Sequence, residues 1–387
     1  MIRMEKQSLY IGIDFDESGI RIGYYRPGMK DIETIGPILP EACGQDVAAL
    51  FCEKTNAGQH SPSLSWEEND AKQSAGTLLK KLLALIPDYS AQQEIASLSI
   101  RLSNLSMEGI SRVKRDAASL SFPMERLHFL DDRDAFCRFA MQQKRELTLH
   151  DMVLFFCRQN ELSCITLTKT TKSVPQELKV EKKKLGTLDP DEVTRDRQFA
   201  EFAQKELNGR LVSTVYLSGD GMEGNWLSIS LSVLCKGRNV FRGSDIYARG
   251  ACQDAIMRTH KEKPSYIFFH EYKLKKNLLL KVRNQNQFVF AELAEAGINC
   301  YEAQRSIEVL LSDDSSVDLW VRDPRTNQAR VETLELTGLT KRGDRRTRLE
   351  IALLPLTTSK CMVRITDLGD VMEPASGGQI WEYEINE

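Results

Sequence analysis

Apolar and polar positions alternate from Leu9 to Tyr25 around a break at DESG, which predicts a β-hairpin turning near Gly19. Glu41 to Asp70 is polar, rich in Gly, Ser and Asn, and reads as a surface excursion. Asp70 to Leu85 fits a helix, with Leu78, Leu79, Leu82, Leu83 and Leu85 on one apolar face ahead of Pro87. Next come a strand (Ile95 to Leu102), a helix (Ser106 to Ser119), a strand (Arg126 to Leu130) and a helix (Asp132 to Gln142), an α/β alternation. A second hairpin is expected from Met152 to Thr168, turning at Gln159, Asn160 and Glu161, and lysine-rich Lys169 to Gly186 reads as a solvated extension. After Pro190 the pattern predicts a helix to Leu207, a strand from Val212 to Ser218, a glycine turn, a helix to about Leu234 and a last helix from Asp245 to Met257. Beyond Lys261 the periodicity shortens to two, and eight strand-like runs between Leu278 and Ile385 suggest a β-sandwich. The domains expected are therefore 1–260 and 264–387.

Composition narrows the function. A chain of 387 residues with 41% hydrophobic and 28% charged residues has material for two globular cores. A net charge of -3 supplies no general attraction for a phosphate backbone or an anionic membrane, so neither nucleic acid nor membrane is an expected partner. The basic run Lys341, Arg342, Arg345, Arg346 and Arg348 is broken by Gly343 and Asp344 and reads as a turn entering a strand. No run approaches the roughly 18 apolar residues of a membrane span, and Met1 to Ser8 is polar, so a cytoplasmic location is expected. Nine cysteines without CxxC spacing and five dispersed histidines argue for buried thiols rather than disulfides or zinc. Cys157 and His150 stand too far apart on one strand to act as nucleophile and base, and Asp131, Asp132 and Asp134 suit a helix N-terminus.

Five local strings, in this order, resemble the DnaK-type chaperones of the actin-like ATPase superfamily. YIGIDFDESGIRIGYY (Tyr10 to Tyr25) looks like the first phosphate hairpin, Ile95 to Ala140 like the segment joining two lobes, and Met152 to Leu167 stands where the second phosphate hairpin belongs. VYLSGDG (Val215 to Gly221) resembles the adenosine turn, and IYARGACQDA (Ile246 to Ala255) the closing helix. Leu336 to Ile385 is similar to the second half of the chaperone's peptide-binding sandwich. The resemblance implies an actin-like α/β core, with ribonuclease-H-like sheets flanked by helices, followed by an all-β sandwich without the helical lid. It also implies a vestigial nucleotide site at Asp14, Ser18, Gly219, Asp220, Gly221 and Gly250, Gly250 letting the last helix lie against the sheet. Tyr272, Leu274 and Tyr301 become groove candidates for a peptide, with packing into the sandwich core as the other reading of the same residues.

Departures from the family pattern weigh against catalysis. Asp16 and Glu17 stand where the family has a small residue and a hydroxyl, and would repel a triphosphate. Phe156 falls at the position of a metal-orienting Asp, and the turn Arg158 to Glu161 has no glycine to let the backbone approach a phosphate. Phosphoryl transfer thus lacks positioning and charge neutralisation. The expectation is a pseudo-ATPase that binds a peptide or protein, with no metal and no cofactor, ATP or ADP being the candidates were one retained. Two alternatives stay open: a slow nucleotide-regulated chaperone, and an actin-like structural or assembly protein.

Overall fold

The computed structural model describes residues 8–16, 19–39, 53–54, 60–61, 75–90, 93–102, 105, 110, 113–114, 117, 123–170, 176–259, 266–270, 272–285, 287–303, 305–312, 315–340, 342, 345–356, 360–372 and 377–386. Two compact units emerge, one from residues 1–170 and 178–264, the other from 171–177 and 265–387.

The first unit contains the same strand arrangement twice. β1 (Leu9–Asp16), β2 (Gly19–Tyr25) and β3 (Glu33–Ile38) form an antiparallel meander, and β4 (Ile95–Arg101) and β5 (Leu127–Leu130) extend it in parallel on the far side of β1, giving the order β3-β2-β1-β4-β5. In the second sheet, β6 (Asp151–Arg158), β7 (Glu161–Lys169) and β8 (Gln176–Thr187) make the meander. β9 (Val212–Ser218) and β10 (Asn239–Arg242) then run parallel beyond β6, in the order β10-β9-β6-β7-β8. This is the ribonuclease-H-like sheet, and its repetition is the architecture of the actin-like ATPase core.

Helices follow where apolar period and caps predict them. α1 (Ala75–Leu83) buries Leu78, Leu79, Leu82 and Leu83, whereas Leu85 is exposed beyond its end. The stretch expected as a helix from Ser106 lies largely outside the described residues. α2 (Asp132–Met141) is capped by Asp131, whose carboxylate accepts from the Asp134 amide at 2.9 Å. α3 (Glu192–Leu207) is capped by Asp191 and lays Phe199 edge-on against Phe155 of β6, 5.3 Å between ring centres. α4 (Ser228–Leu234) and α5 (Ile246–Thr259) complete the unit.

α5 sits close to its neighbours because glycine clears the way. Gly12 and Gly23 face each other across β1 and β2, and a Cβ at either would collide with the α5 backbone near Ala248 and Cys252. Gly250 instead faces α2, where a Cβ would strike the Ala135 carbonyl. The expectation that Gly250 packs against the sheet is thus corrected: it makes the helix crossing, and the sheet supplies its own glycines.

Lys169 to Gly186 is also corrected, since most of it is β8. Leu178 and Val180 point inward between outward lysines, so a half-buried strand lies under the basic composition. β3 and β10 were not expected at all.

The second unit has two antiparallel sheets. One has the order β12-β11-β14-β15, from β11 (Asn277–Asn284), β12 (Gln287–Ala294), β14 (Ser316–Arg322) and β15 (Ala329–Glu335). The other is β13-β16-β17-β18, from β13 (Arg305–Leu310), β16 (Thr347–Pro355), β17 (Lys360–Asp370) and β18 (Ile380–Asn386). Their inward positions, among them Leu278, Leu280, Leu319, Ile351, Val363 and Ile365, make one core. The basic run is largely paired: Arg342 grips Asp367 with two bonds of 2.8 Å, and Arg346 and Arg348 reach Asp370 and Glu308. Among the described residues no helix is long and apolar enough to cross a membrane.

Candidate functional site

Asp14 lies near the end of β1, and the sheet register sets Arg21 of β2 and Arg101 of β4 beside it on the same face. Arg101 is 1% exposed, Asp14 2%. Its guanidinium donates to Asp14 Oδ1 at 2.9 Å and to the Phe15 carbonyl at 3.1 Å. It also donates through Nε to Asp132 Oδ1 at 2.8 Å, with a second bond through Nη2 to the same oxygen, while Lys182 of β8 holds the other oxygen of Asp132. A buried arginine survives only when its charge and donors are matched, and this one is matched by two carboxylates and a carbonyl.

Electrostatics follow the geometry. Burial would raise the pKa of Asp132, but the charges of Arg101 and Lys182 and their hydrogen bonds outweigh it and hold the carboxyl at about 2. Tyr247 of α5 presents its ring 4.5 Å from the Arg101 Cζ, and Phe156 of the second hairpin packs against that ring at 5.4 Å. Phe156, Tyr247, Arg101 and the two carboxylates therefore connect the second hairpin to the first. The ring of Phe156 thus occupies the position at which the resembling family carries a metal-orienting carboxylate.

The second hairpin is closed by an internal anion. Gln159 and Asn160 have φ of 45° and 78°, the two-residue turn with both centres left-handed. The Gln159 amide donates to Asp220 Oδ1 at 3.2 Å, and the Gly221 amide to the same oxygen at 2.8 Å. Gly219 and Gly221 are required here by contact: a Cβ at Gly219 would meet the Cys157 carbonyl, and one at Gly221 the Cys157 sulfur. Arg195 bridges to Asn160 at 2.9 Å and lies over Trp226. Burial pushes the Cys157 thiol up despite Arg195, which leaves it a poor nucleophile. His150 is at the opposite end of β6, where its amide bonds Ser213.

A further carboxylate, Asp254 of α5, is 2% exposed and accepts from Ser99 of β4 and Arg138 of α2, each at 2.9 Å, and from Arg258 at 3.0 Å. Burial would raise its pKa, but Arg258 and Arg138 hold it well below the usual carboxylate range. Beside the Gly219 turn a shallow cleft of about 270 Å³ is lined by Glu223, Gly224, Arg242 and Ser244 among others, with Arg242 spent on the carbonyls of Met222 and Gly224.

Asp14 is engaged by Arg101, Asp220 by the amides of Gln159 and Gly221, Gly219 and Gly221 pack on Cys157, and Gly250 lies against α2 and not at this turn. Ser18 and Glu17 lie outside the described residues, as does the side chain of Asp16. Leu274 is fully buried in the sandwich core and lines no open groove, Tyr272 is half-buried and packs against that core, and the side chain of Tyr301 lies outside the description. Arg101, Lys182, Tyr247 and Asp254 were missed. The only sequence signal for Arg101 was an arginine closing an apolar strand.

A nucleotide with magnesium, which the fold family implies, does not fit these residues. Asp14 Oδ1 is already held by a buried guanidinium, and freeing it for a metal would cost about 3–5 kcal/mol. The Gln159 amide already holds a carboxylate in place of a phosphate.

Solved structures similar to the chain include the ethanolamine utilization protein EutJ from Carboxydothermus hydrogenoformans, at 9% identity and a TM-score of 0.35 over 63% of this chain and 89% of that one. A glucokinase from Balamuthia mandrillaris is similar at 10% identity and 0.35 over 66% and 95%. A non-polymerisable mutant of pCBH ParM is similar at 10% identity and 0.35 over 65% and 99%. No curated protein matches the chain. Residues 273–386 match a domain of unknown function, DUF8552. Residues 54–271, more than half of the chain, match the C-terminal model of the family of unknown function DUF5716, and to that family the chain belongs.

Proposed function

We propose that the chain is a non-catalytic, cytoplasmic actin-like scaffold, its core held by built-in ions in place of nucleotide and metal, and its β-sandwich serving to bind a protein partner. The observation that supports this is the Asp14–Arg101–Asp132 cluster, in which an internal guanidinium neutralises the first-hairpin carboxylate. Asp220 plays the complementary part at the second hairpin, as an internal anion on a backbone amide. A scaffold of this kind needs no turnover, and it agrees with the structural or assembly reading of an actin-like core better than with an ATP-driven chaperone.

Thermal-shift titrations with ATP and ADP, each with and without magnesium, test the reading. A ligand at about a hundred times its Kd stabilises the native state by about 2.7 kcal/mol, which for a core of this size is about 5 to 10 °C. The expected shift is below about 1 °C. A rise of several degrees, or phosphate release from ATP that Asp14→Ala abolishes, overturns the proposal.

A further inference from the structure

The two outer faces of the sandwich use their charges differently. On the sheet β13-β16-β17-β18, opposite charges meet across strands: Arg348 with Glu308 at 3.1 Å, Arg364 with Glu382 at 2.8 Å, and Lys360 with Glu384. That face is neutralised by its own ion pairs. On the sheet β12-β11-β14-β15, Lys281, Arg283 and Arg322 have no carboxylate partner among the described residues. Two of them lean over aromatic rings instead. Lys281 Nζ lies 4.8 Å from the centre of Phe288, and Arg322 Cζ 4.6 Å from that of Phe290.

Both rings belong to β12, the outermost strand of its sheet. The positive charges are thereby carried out over the edge. An edge strand offers one row of backbone N–H and C=O groups to any strand that arrives, and proteins protect such edges with charges, prolines or bulges. From Gln287 to Ala291 β12 has neither a charge nor a proline. Phe288, Val289 and Phe290 are 69%, 39% and 41% exposed, so this run is open on both faces of the strand.

We propose that the β12 edge is a docking site for an extended acidic segment of a partner protein, which adds as a strand and sets its carboxylates against Lys281, Arg283 and Arg322. Added strands lie about 4.8 Å away, and alternate side chains return to the same face, so acidic residues at every second position meet the cations leaning over β12. A peptide suits the edge better than a nucleic acid, which has no main-chain amides to pair with it, and the chain's net charge of -3 gives phosphates no general attraction. A second copy is disfavoured by charge. Pairing β12 with itself brings Lys281 and Arg283 of both copies together.

This inference rests on the partner-binding half of the proposed function and is read out separately from its nucleotide half. The full chain is titrated into a labelled peptide of about ten residues alternating Glu and Val, and anisotropy is followed. Comparison probes are a Lys/Val peptide, the Glu/Val peptide with two central valines changed to proline, and single-stranded oligothymidylate. The Glu/Val peptide is expected to bind at least about tenfold more tightly than any of them. Lys281→Glu with Arg283→Glu, both exposed changes, is expected to reverse the preference between the two charged peptides, and Arg322→Glu is the second variant if that pair fails to fold. Equal binding of the proline peptide refutes strand addition. Tightest binding of the oligonucleotide refutes the peptide reading, and a dimer dissociated by Phe290→Lys with no peptide bound identifies the edge as self-pairing instead. Absence of binding by every probe also overturns the proposal, and none of these results bears on whether the core takes a nucleotide.

Discussion

Replacing Arg101 by methionine keeps most of the side chain's bulk and removes its charge from between two buried carboxylates. Asp14 is then left 2% exposed without its 2.9 Å partner, and Asp132 keeps only Lys182. Removing one member of a buried pair costs about 3–5 kcal/mol, because the remaining charge is stranded away from water. At about 2–4 °C per kcal/mol, the unfolding of the core should fall by roughly 10 °C at pH 7, read by calorimetry. The pH dependence separates this account from simple mispacking. In the unaltered protein the folded pKa of Asp132, about 2, lies below the ordinary 3.8, so the carboxyl stabilises fully above about pH 4. That contribution, about 2 kcal/mol, is lost as the pH falls toward 2. In Arg101→Met the lowering by Arg101 is lost while burial and Lys182 remain, so the folded pKa of Asp132 rises and less stability is lost on acidification. The variant's deficit should therefore shrink as the pH falls from about 4 toward 2. A loss under about 1 kcal/mol at pH 7, or a deficit that grows on acidification, refutes the reasoning.

Other substitutions probe the same core. Asp220→Ala removes the acceptor shared by the Gln159 and Gly221 amides and should cost about 1–2 kcal/mol in urea denaturation. Gly250→Ala drives a methyl into the Ala135 carbonyl and should cost about 3 kcal/mol or prevent folding, seen as loss of soluble protein, whereas Ala at solvent-facing Gly237 meets no atom and is limited to backbone strain. Tyr216, 3% exposed, buries a hydroxyl with no hydrogen-bond partner among the described residues, and burial raises its pKa to about 12. Tyr216→Phe should therefore leave stability unchanged or raise it by about 1 kcal/mol in the same denaturation assay.

The hairpins were legible because strands of period two flank short polar breaks, as in IGIDF and IRIGYY. β8 was hidden by composition: Lys182, Lys183 and Lys184 mask the buried Leu178 and Val180, although the alternation is intact. β3 carries Gly36 and Pro37 and β10 has four residues, too little pattern to read alone. The sequence drew attention to Asp16 and Glu17, whereas the charge that the structure places beside Asp14 is that of Arg101. Arg101 gains its role from register, since only the parallel pairing of β1 with β4 sets it beside Asp14. Leu274 could be read as groove or as core from its neighbours in sequence, and only the packed sheets decide for the core.

Asp254 has a mechanical consequence. It fastens β4, α2 and α5 at a single point through charged bonds in a place from which water is excluded. Drawing α2 or α5 away from β4 would strand that carboxylate, so these three elements move as one piece.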